Sequence, residues 1–427
     1  MFRMHDPFRR AQLAIAALFL FLGFQYATWV SRLPTLKTHL DLSAAQVGLL
    51  LMAGGAGAVI SFPLVPPAMK RLGSRLLSLL SALVLGLILL VLAVLPNYPV
   101  TLLVICLDGV AVGFLNVAMN AQGAALEVEY GRTVMARFHA TFSAGSLSAA
   151  LLAVGVNLFT SSLAVHFTAA ALLLLLAVGL TQSGLLPQDQ QVESAPDATL
   201  NSTPEQEADS ASEQAEQTEP AERPKRRLVL PTRVTIWMGL AMVFGTVTEG
   251  AMNDWSSLYL KDIAEAGPRV TPLGIAVVSG MMVLARIFAD GWRARWGDGR
   301  IVVAGSALAG AGLAVALVAG GVFPALLGFA CVGLGVAAVT PCVYVAAARQ
   351  GPDALALVAA MGTIGLLAGP PVIGFIASGS SLTWGMGAIA VSAVLVSLCA
   401  TRIRWPALVP AQPTPAAQPP GTLTADR

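Results

Sequence analysis

Polar side chains that could bind a solute or a proton interrupt the apolar run 99–124. They are Asp108, Asn116 and Asn120. On a helix that rises 1.5 Å per residue, Asp108 lies ~13 Å into the membrane, and the asparagines are rotated from it by about 80° and 120°. The three therefore share one broad side. We expect the asparagines to bind substrate and Asp108 to couple protons; the alternative for each is a bond between packed helices.

A second polar group occurs in the run 233–259, where Glu249 and Asn253 are i, i+4 neighbours on one helix face and Asp254 follows. A carboxyl in an apolar environment can exchange protons near neutral pH. Glu249 is therefore a candidate proton carrier, and Asn253 a candidate substrate contact. The alternative is a static bond from Glu249 to Arg32, for which Asp254 competes; in that case Arg32 and Asp254 form a gate.

Other apolar runs contribute an ionisable ring and flat binding surfaces. Histidine changes its charge near neutral pH, so His139 is a further candidate for proton coupling, although a lone helical histidine is as often a packing residue. Amide and aromatic surfaces that suit a sugar-like solute are offered by Gln25, Tyr26, Trp29 and Tyr344. Aromatic residues near span ends equally often anchor a helix at the membrane interface.

The composition identifies the solvent of these residues. Hydrophobic residues make up 56% of the 427, and charged residues 11%, against about 25% charged in soluble domains. This balance excludes a soluble enzyme, a disordered chain and a secreted domain. An ionisable residue at membrane depth is costly, so each one is a functional candidate.

The pattern of apolar runs predicts an all-α integral membrane protein with twelve transmembrane helices in two six-helix pseudo-symmetric bundles. Each run has the roughly 20 residues that a span requires. The runs are 11–31, 46–68, 75–95, 99–124, 135–159, 163–185, 233–259, 271–292, 301–321, 324–347, 354–378 and 383–402.

The bundles are expected to cover residues 1–186 and 232–405. Between them, 187–231 is rich in Glu, Gln, Ser, Thr and Pro, which predicts a disordered acidic linker. Residues 406–427 are expected to be a disordered tail.

The basic residues indicate the orientation. They collect on the linker side and leave on the other side only Arg32, Lys37, Lys261 and Arg269. The positive-inside rule then places the linker and both termini in the cytoplasm. We expect a multi-pass protein of the bacterial inner (plasma) membrane.

Several kinds of site are excluded by what the sequence lacks. A net charge of +2 and four cysteines scattered in apolar runs argue against nucleic-acid, metal and disulfide chemistry. The glycines have no Gly-Lys-Ser/Thr after them, so we expect no ATP site. No cofactor is expected.

The two halves of the chain resemble each other weakly. At an offset of 226 residues, Trp29 aligns with Trp255 and Gly48 with Gly274. Parallel six-helix repeats with a binding site between them near the midplane are a transporter plan.

The segment from Pro66 to Arg75 resembles the G-x-x-x-D-R-x-G-R-R loop of the major facilitator superfamily, with Arg71 as a gating residue but without the family's acid. Arg286 and Asp290, at i and i+4, occupy the matching place in the second half. We expect them to latch the inner end of span 8; the alternative is an interfacial ion pair of small value.

Three strings are similar to a bacterial subgroup related to fucose permease. They run from Trp29 to Pro34, from Asn116 to Gly123 and from Phe138 to Gly145. The resemblance implies a central cavity lined by spans 1, 4, 7 and 10. The permease's own acids correspond here to Asn116 and Val30, so its proton site is not carried over.

These observations together predict a secondary active transporter that moves a small polar solute, sugar-like or a related metabolite, by alternating access. Its expected partners are the solute, protons and the lipid bilayer. One alternative is an exporter of a hydrophobic compound, although Gly145 is followed by Ser146 where exporters have Gly-Pro. The other is a non-transporting sensor or scaffold that uses the acidic linker.

Overall fold

The computed structural model describes residues 6–132, 134–187 and 232–405, without the side chains of Ala136, Asp290 and Pro352. Nearly all of the predicted linker and the predicted tail lie outside the described residues.

The described ranges form fourteen α-helices and no strand. The helices are α1 (Pro7–Val30), α2 (Leu33–His39), α3 (Ala44–Ser61), α4 (Val65–Leu92), α5 (Tyr98–Tyr130), α6 (Met135–Asn157), α7 (Leu163–Thr181), α8 (Arg233–Asp262), α9 (Leu273–Trp296), α10 (Asp298–Ala319), α11 (Val322–Val336), α12 (Val339–Ala348), α13 (Pro352–Gly379) and α14 (Leu382–Ala400).

Fourteen helices make twelve membrane crossings because two crossings are broken. Helices α1 and α2 form one crossing, as do α11 and α12. Eleven crossings are long and apolar enough to span, and the apolar part of α9, Leu273–Ala289, supplies the twelfth. The predicted all-α membrane fold with twelve helices is confirmed.

The predicted loop between spans 2 and 3 is helical instead. Pro66 and Pro67 lie in the first turn of α4, where a missing backbone N–H is tolerated. The helix then bends at Gly73, whose φ is 69°. A helix start and a kink replace the loop that the resemblance implied.

Each half is held together by close helix crossings. Helix α1 packs on α6, and α3 on α5; between the halves, α3 packs on α13 and α6 on α9. Small residues allow these approaches. A Cβ added to Gly48 of α3 would lie 2.7 Å from the Pro370 carbonyl oxygen of α13. The part of α13 that contains its two prolines therefore lies where the halves meet.

The two ends of the bundle are named here by the segments that form them. The end where α7 stops and α8 begins is called the linker end. The opposite end, formed by α2 and the turn from α8 to α9, is called the α2 end.

The glycine contacts predict which substitutions disturb the bundle. A methyl group on Gly57 would meet the Cys106 carbonyl oxygen of α5, so Gly57→Ala should lower the free energy of unfolding by about 1–3 kcal/mol through overpacking. The measurement is the thermal unfolding midpoint in detergent. Gly387→Ala is the control, because its methyl meets no described atom within 4 Å and alanine favours helix. An unchanged midpoint for Gly57→Ala would contradict the close crossing.

Candidate functional site

An arginine lies between the two halves near the middle of the bundle. Arg286 of α9 places Nη2 3.3 Å from Oε1 of Glu249 on α8, and its Nη1 donates to Oγ of Ser143 on α6. Ser143 belongs to the first half and Glu249 to the second. The guanidinium therefore makes an ion pair within one half and a hydrogen bond across to the other.

The position of this arginine differs from the prediction. We expected Arg286 at the inner end of span 8, latched to Asp290, but it is the fourteenth of the 24 residues of α9, about 20 Å along the helix. At that depth its partner is Glu249 of α8, which lies about one helical turn before Asn253. The side chain of Asp290 is outside the described part, so its predicted latch stays a prediction.

His139 lies one turn before Ser143 on α6. Its ring packs edge-on against Phe19 of α1, with centroids 5.2 Å apart. Of the predicted proton-coupling residues, Glu249 thus contacts Arg286 directly, and His139 lies one turn from the serine that Arg286 contacts. We call Glu249, Arg286, Ser143 and His139 the charge cluster.

The charge cluster is partly accessible. The side chains of Arg286 and Glu249 are 22% and 28% exposed. An ion pair that is neither fully buried nor fully hydrated can exchange one partner for a ligand or a proton at moderate cost.

Two buried carboxyls each take a hydrogen bond from α1. Gln25 Nε2 donates to Asp108 Oδ1 over 2.7 Å, and Tyr26 Oη donates to Asp254 Oδ1. Asp108 is in the same half as α1, whereas Asp254 is in the other, so consecutive residues of α1 contact one acid in each half. Tyr26 was predicted only as part of the aromatic surface of span 1, not as the partner of Asp254.

Arg32 holds its own half together. This buried side chain donates from Nη1 to Asn157 Oδ1 and from Nη2 to the Ser161 carbonyl oxygen, the latter over 2.5 Å. The predicted alternative, a bond between Arg32 and Glu249, is not formed. Arg32 lies at the α2 end, and Glu249 pairs with Arg286 instead. Asn157 Nδ2 in turn donates to the Pro268 carbonyl oxygen of the other half over 2.7 Å.

The α2 end carries further bonds between the halves. Lys37 pairs with Asp262, and Lys261 Nζ donates to the Pro34 carbonyl oxygen over 2.8 Å. The backbone N–H of Ala45 donates to Ser378 Oγ, also over 2.8 Å. Sequence reasoning missed these contacts, although Lys37 and Lys261 were two of the few cations outside the linker side.

Several bonds join the halves between the α2 end and the level of Arg286. The two halves are therefore tied together at the α2 end.

The asparagines of α5 lie on the side that faces the gap between α1 and α3. Asp108 contacts α1, and a Cβ on Gly109 would meet α3; Asn116, rotated about 80° from Asp108, lies between these directions. Asn120 Nδ2 donates to the carbonyl oxygen of Asn116 over 2.7 Å and to its Oδ1 over 3.0 Å. Asn116 is exposed, so its amide N–H groups can reach a solute.

The remaining predicted residues are less closely grouped. Asn253 Nδ2 donates to the Glu249 carbonyl oxygen over 3.0 Å, a bond within α8. Trp29 is buried, and its indole N–H has no partner among the described atoms. Tyr344 is half-buried on α12, and Arg71 is exposed on α4 near the linker end, away from the charge cluster.

The charge cluster can bind a proton or a polar solute by exchanging one of its ionic or hydrogen-bonding contacts. Among the described residues, no three His, Cys, Asp or Glu side chains gather as metal ligands.

The sequence has full-length bacterial relatives. It is 29% identical over 402 residues to an uncharacterised MFS-type transporter of Yersinia pestis, covering 92% of this chain and 95% of that one. It is 28% identical over 377 residues to the membrane protein MosC of Rhizobium meliloti, covering 86% and 84%.

Solved transporters share the fold at low sequence identity. The D-xylose-proton symporter aligns with a TM-score of 0.70 at 13% identity over 94% of this chain and 99% of its own. The nucleoside transporter NupG aligns with a TM-score of 0.67 at 15% identity over 92% and 98%.

The family follows from the sequence match together with this fold. The sequence model of the Major Facilitator Superfamily matches residues 13–354, which is most of the chain. The protein belongs to the Major Facilitator Superfamily of membrane transporters.

Proposed function

We propose that this protein is a proton-coupled secondary transporter that moves a small polar solute across the bacterial inner membrane by alternating access. The observation that carries the proposal is the charge cluster, in which Arg286 joins Glu249 of its own half to Ser143 of the other. An ion pair in that place responds both to protons and to a solute that enters between the halves.

Proton binding and solute binding are linked through Arg286. When Glu249 takes up a proton, the guanidinium loses its counter-charge, and an uncompensated charge in a low-dielectric site costs several kcal/mol. A solute that offers oxygen acceptors to the freed N–H groups offsets this cost. Each ligand therefore favours the binding of the other, as linkage requires.

The surrounding side chains favour a hydroxylated solute. The exposed amide of Asn116 and the half-buried side chains of Tyr26, Asn253 and Tyr344 supply hydrogen bonds and flat surfaces, which suit sugars and related metabolites. The D-xylose-proton symporter and NupG, which share the fold, are described as carriers of a sugar with protons and of nucleosides. The support that these two transporters give to the proposed solute class and coupling ion rests only on the shared fold.

The orientation follows from the basic residues at the linker end. With both termini and the linker in the cytoplasm, the α2 end faces outward. Bonds between the halves tie that end together, which supports the interpretation of this conformation as a state closed to the outside.

A two-stage experiment tests the proposal. Purified protein is first screened by thermal shift against sugars, polyols, nucleosides and amino acids, and each stabilising compound is then offered to proteoliposomes with an imposed pH gradient. We expect accumulation that a proton ionophore abolishes. Accumulation that ionophores leave unchanged would refute the coupling, and extrusion of hydrophobic compounds alone would favour the exporter.

Glu249→Gln should separate exchange from accumulation. Glutamine keeps the shape and the hydrogen bonding of a protonated carboxyl but cannot release a proton, so uphill accumulation should fall at least tenfold while solute exchange across the membrane continues. Glu265→Gln, on the exposed turn after α8, is the matched control and should transport normally. If Glu249→Gln accumulates solute as the wild type does, Glu249 is not the proton carrier.

A cross-link between positions 37 and 262 should arrest transport. Lys37 and Asp262 pair across the halves at the α2 end, so Lys37→Cys and Asp262→Cys in one chain can be joined by oxidation or by a short bifunctional thiol reagent. Alternating access requires these residues to separate; the joined protein should lose uptake and regain it on reduction. The controls are the two proteins that carry only one of these substitutions, treated alike; they keep the four native cysteines. Full uptake by the joined protein would show that this end does not open.

Deletion of residues 188–222 discriminates between the transporter and the scaffold. The charge cluster and the bonds between the halves all involve residues outside this segment, so transport in proteoliposomes should stay within about twofold of the wild type. Loss of transport by a deletion protein that unfolds at the wild-type temperature would favour the sensor or scaffold.

A further inference from the structure

We propose that a groove at the linker end binds the headgroup of an anionic phospholipid. The groove has a volume of about 620 Å³ and lies where α9 meets α10 beside the end of α14; Trp296, Arg300, Thr401 and Trp405 line it. The site is outside the charge cluster, and its test does not depend on transport.

The groove lies at the depth of lipid headgroups. The apolar part of α9 ends at Ala289, the α10 span begins at Asp298, and α14 ends at Ala400. Three spans thus leave the hydrocarbon layer around it. Tryptophan side chains such as Trp296 and Trp405 are typical of this interfacial zone.

One wall of the groove is a specific packing arrangement. A Cβ on Gly299 would lie 2.5 Å from the indole of Trp405, so glycine at this position admits the ring against the first turn of α10. Trp405 Nε1 donates to the Ala400 carbonyl oxygen over 2.8 Å. The indole is therefore held in place from two sides.

The charge around the groove favours an anion. Its single acid, among the described lining residues, is Asp298, whose Oδ1 lies 2.8 Å from Arg293 Nε and is therefore neutralised. Arg300 lines the groove and is exposed, and the exposed Arg402 and Arg404 lie in the chain between the lining residues Thr401 and Trp405. Guanidinium groups bind phosphate oxygens in pairs, which suits a phosphodiester.

A row of rings connects the groove to the lipid-facing surface of α9. Phe288 stacks on Trp292 with centroids 5.9 Å apart, and Trp292 stacks on Trp296 at 6.3 Å. Phe288 is 50% exposed and Ile287, beside it, is 67% exposed. Acyl chains can lie along this surface while the phosphate reaches the groove, a combination that a lipid provides and a free phosphate does not.

The test measures lipid retained by the full-length protein. Protein is reconstituted in nanodiscs of phosphatidylcholine with one fifth phosphatidylglycerol, extracted in mild detergent, and examined by native mass spectrometry. We expect the wild type to retain phosphatidylglycerol at least fivefold above its share of the bilayer. Arg300→Gln and Trp296→Ala should each reduce this enrichment several-fold.

Matched substitutions at the opposite end serve as controls. Arg269→Gln and Trp384→Ala change an exposed arginine and a 70% exposed tryptophan and should keep the enrichment. Thermal unfolding in phosphatidylcholine identifies any variant that fails to fold, and Arg300→Lys, which keeps the charge, should retain part of the enrichment.

Three results would overturn the proposal. Equal retention of the two lipids by the wild type would show that the groove does not select an anionic headgroup. Displacement of the lipid by millimolar glycerol phosphate would indicate a site for a small soluble anion. A change in oligomeric state in Arg300→Gln, without a change in lipid retention, would assign the groove to a second copy of the chain.

Discussion

A charged arginine in the middle of a membrane bundle needs a compensating partner, and this requirement organises the centre of the protein. Arg286 obtains a counter-charge from Glu249 in its own half and donates a hydrogen bond to Ser143 in the other. Because unpaired charge is costly in a low dielectric, Arg286 keeps Glu249 as its partner when the halves separate, and only its bond to Ser143 has to be exchanged for a bond to another group. The protein's response to ligands can therefore be concentrated at one pair of side chains.

The packing of the helices determines how an exchange of the contacts of Arg286 could move the two halves. Within each half, glycines bring helices into backbone contact, as where Gly57 of α3 meets the backbone of α5, and such crossings resist deformation because interiors are close-packed. Between the halves, Gly48 of α3 also meets the backbone of α13, and polar contacts such as Lys37 with Asp262 and Tyr26 with Asp254 add to this crossing. The proposed alternating access requires the halves to move as bodies while such contacts are exchanged.

The twelve-helix fold could be predicted because span length and apolar composition depend on the bilayer alone. Asp108, Glu249 and His139 could be identified as candidates for the same reason, since ionisable residues in apolar runs are conspicuous. The partners of these residues could not be predicted from the sequence. The i, i+4 spacing indicated Asp290 as a neighbour of Arg286, but the contact of Arg286 with Glu249 could not be predicted, because the crossing of α8 and α9 decides which side chains meet. A bond from Glu249 to Arg32 was a predicted alternative, but Arg32 instead donates to Asn157, because α1 packs on α6.

The sequence by itself determined the membrane as solvent, the number of crossings, the side on which basic residues collect and the polar residues that lie at depth. These properties are set locally, by the free energy of transferring each segment from water to lipid. Only the tertiary structure decided that Tyr26 joins α1 to Asp254, that the halves are tied at the α2 end, and that Trp405 folds back over Gly299 to wall a groove. Such contacts depend on helix rotation and crossing distance, which arise from packing many segments at once and are not encoded in any one of them.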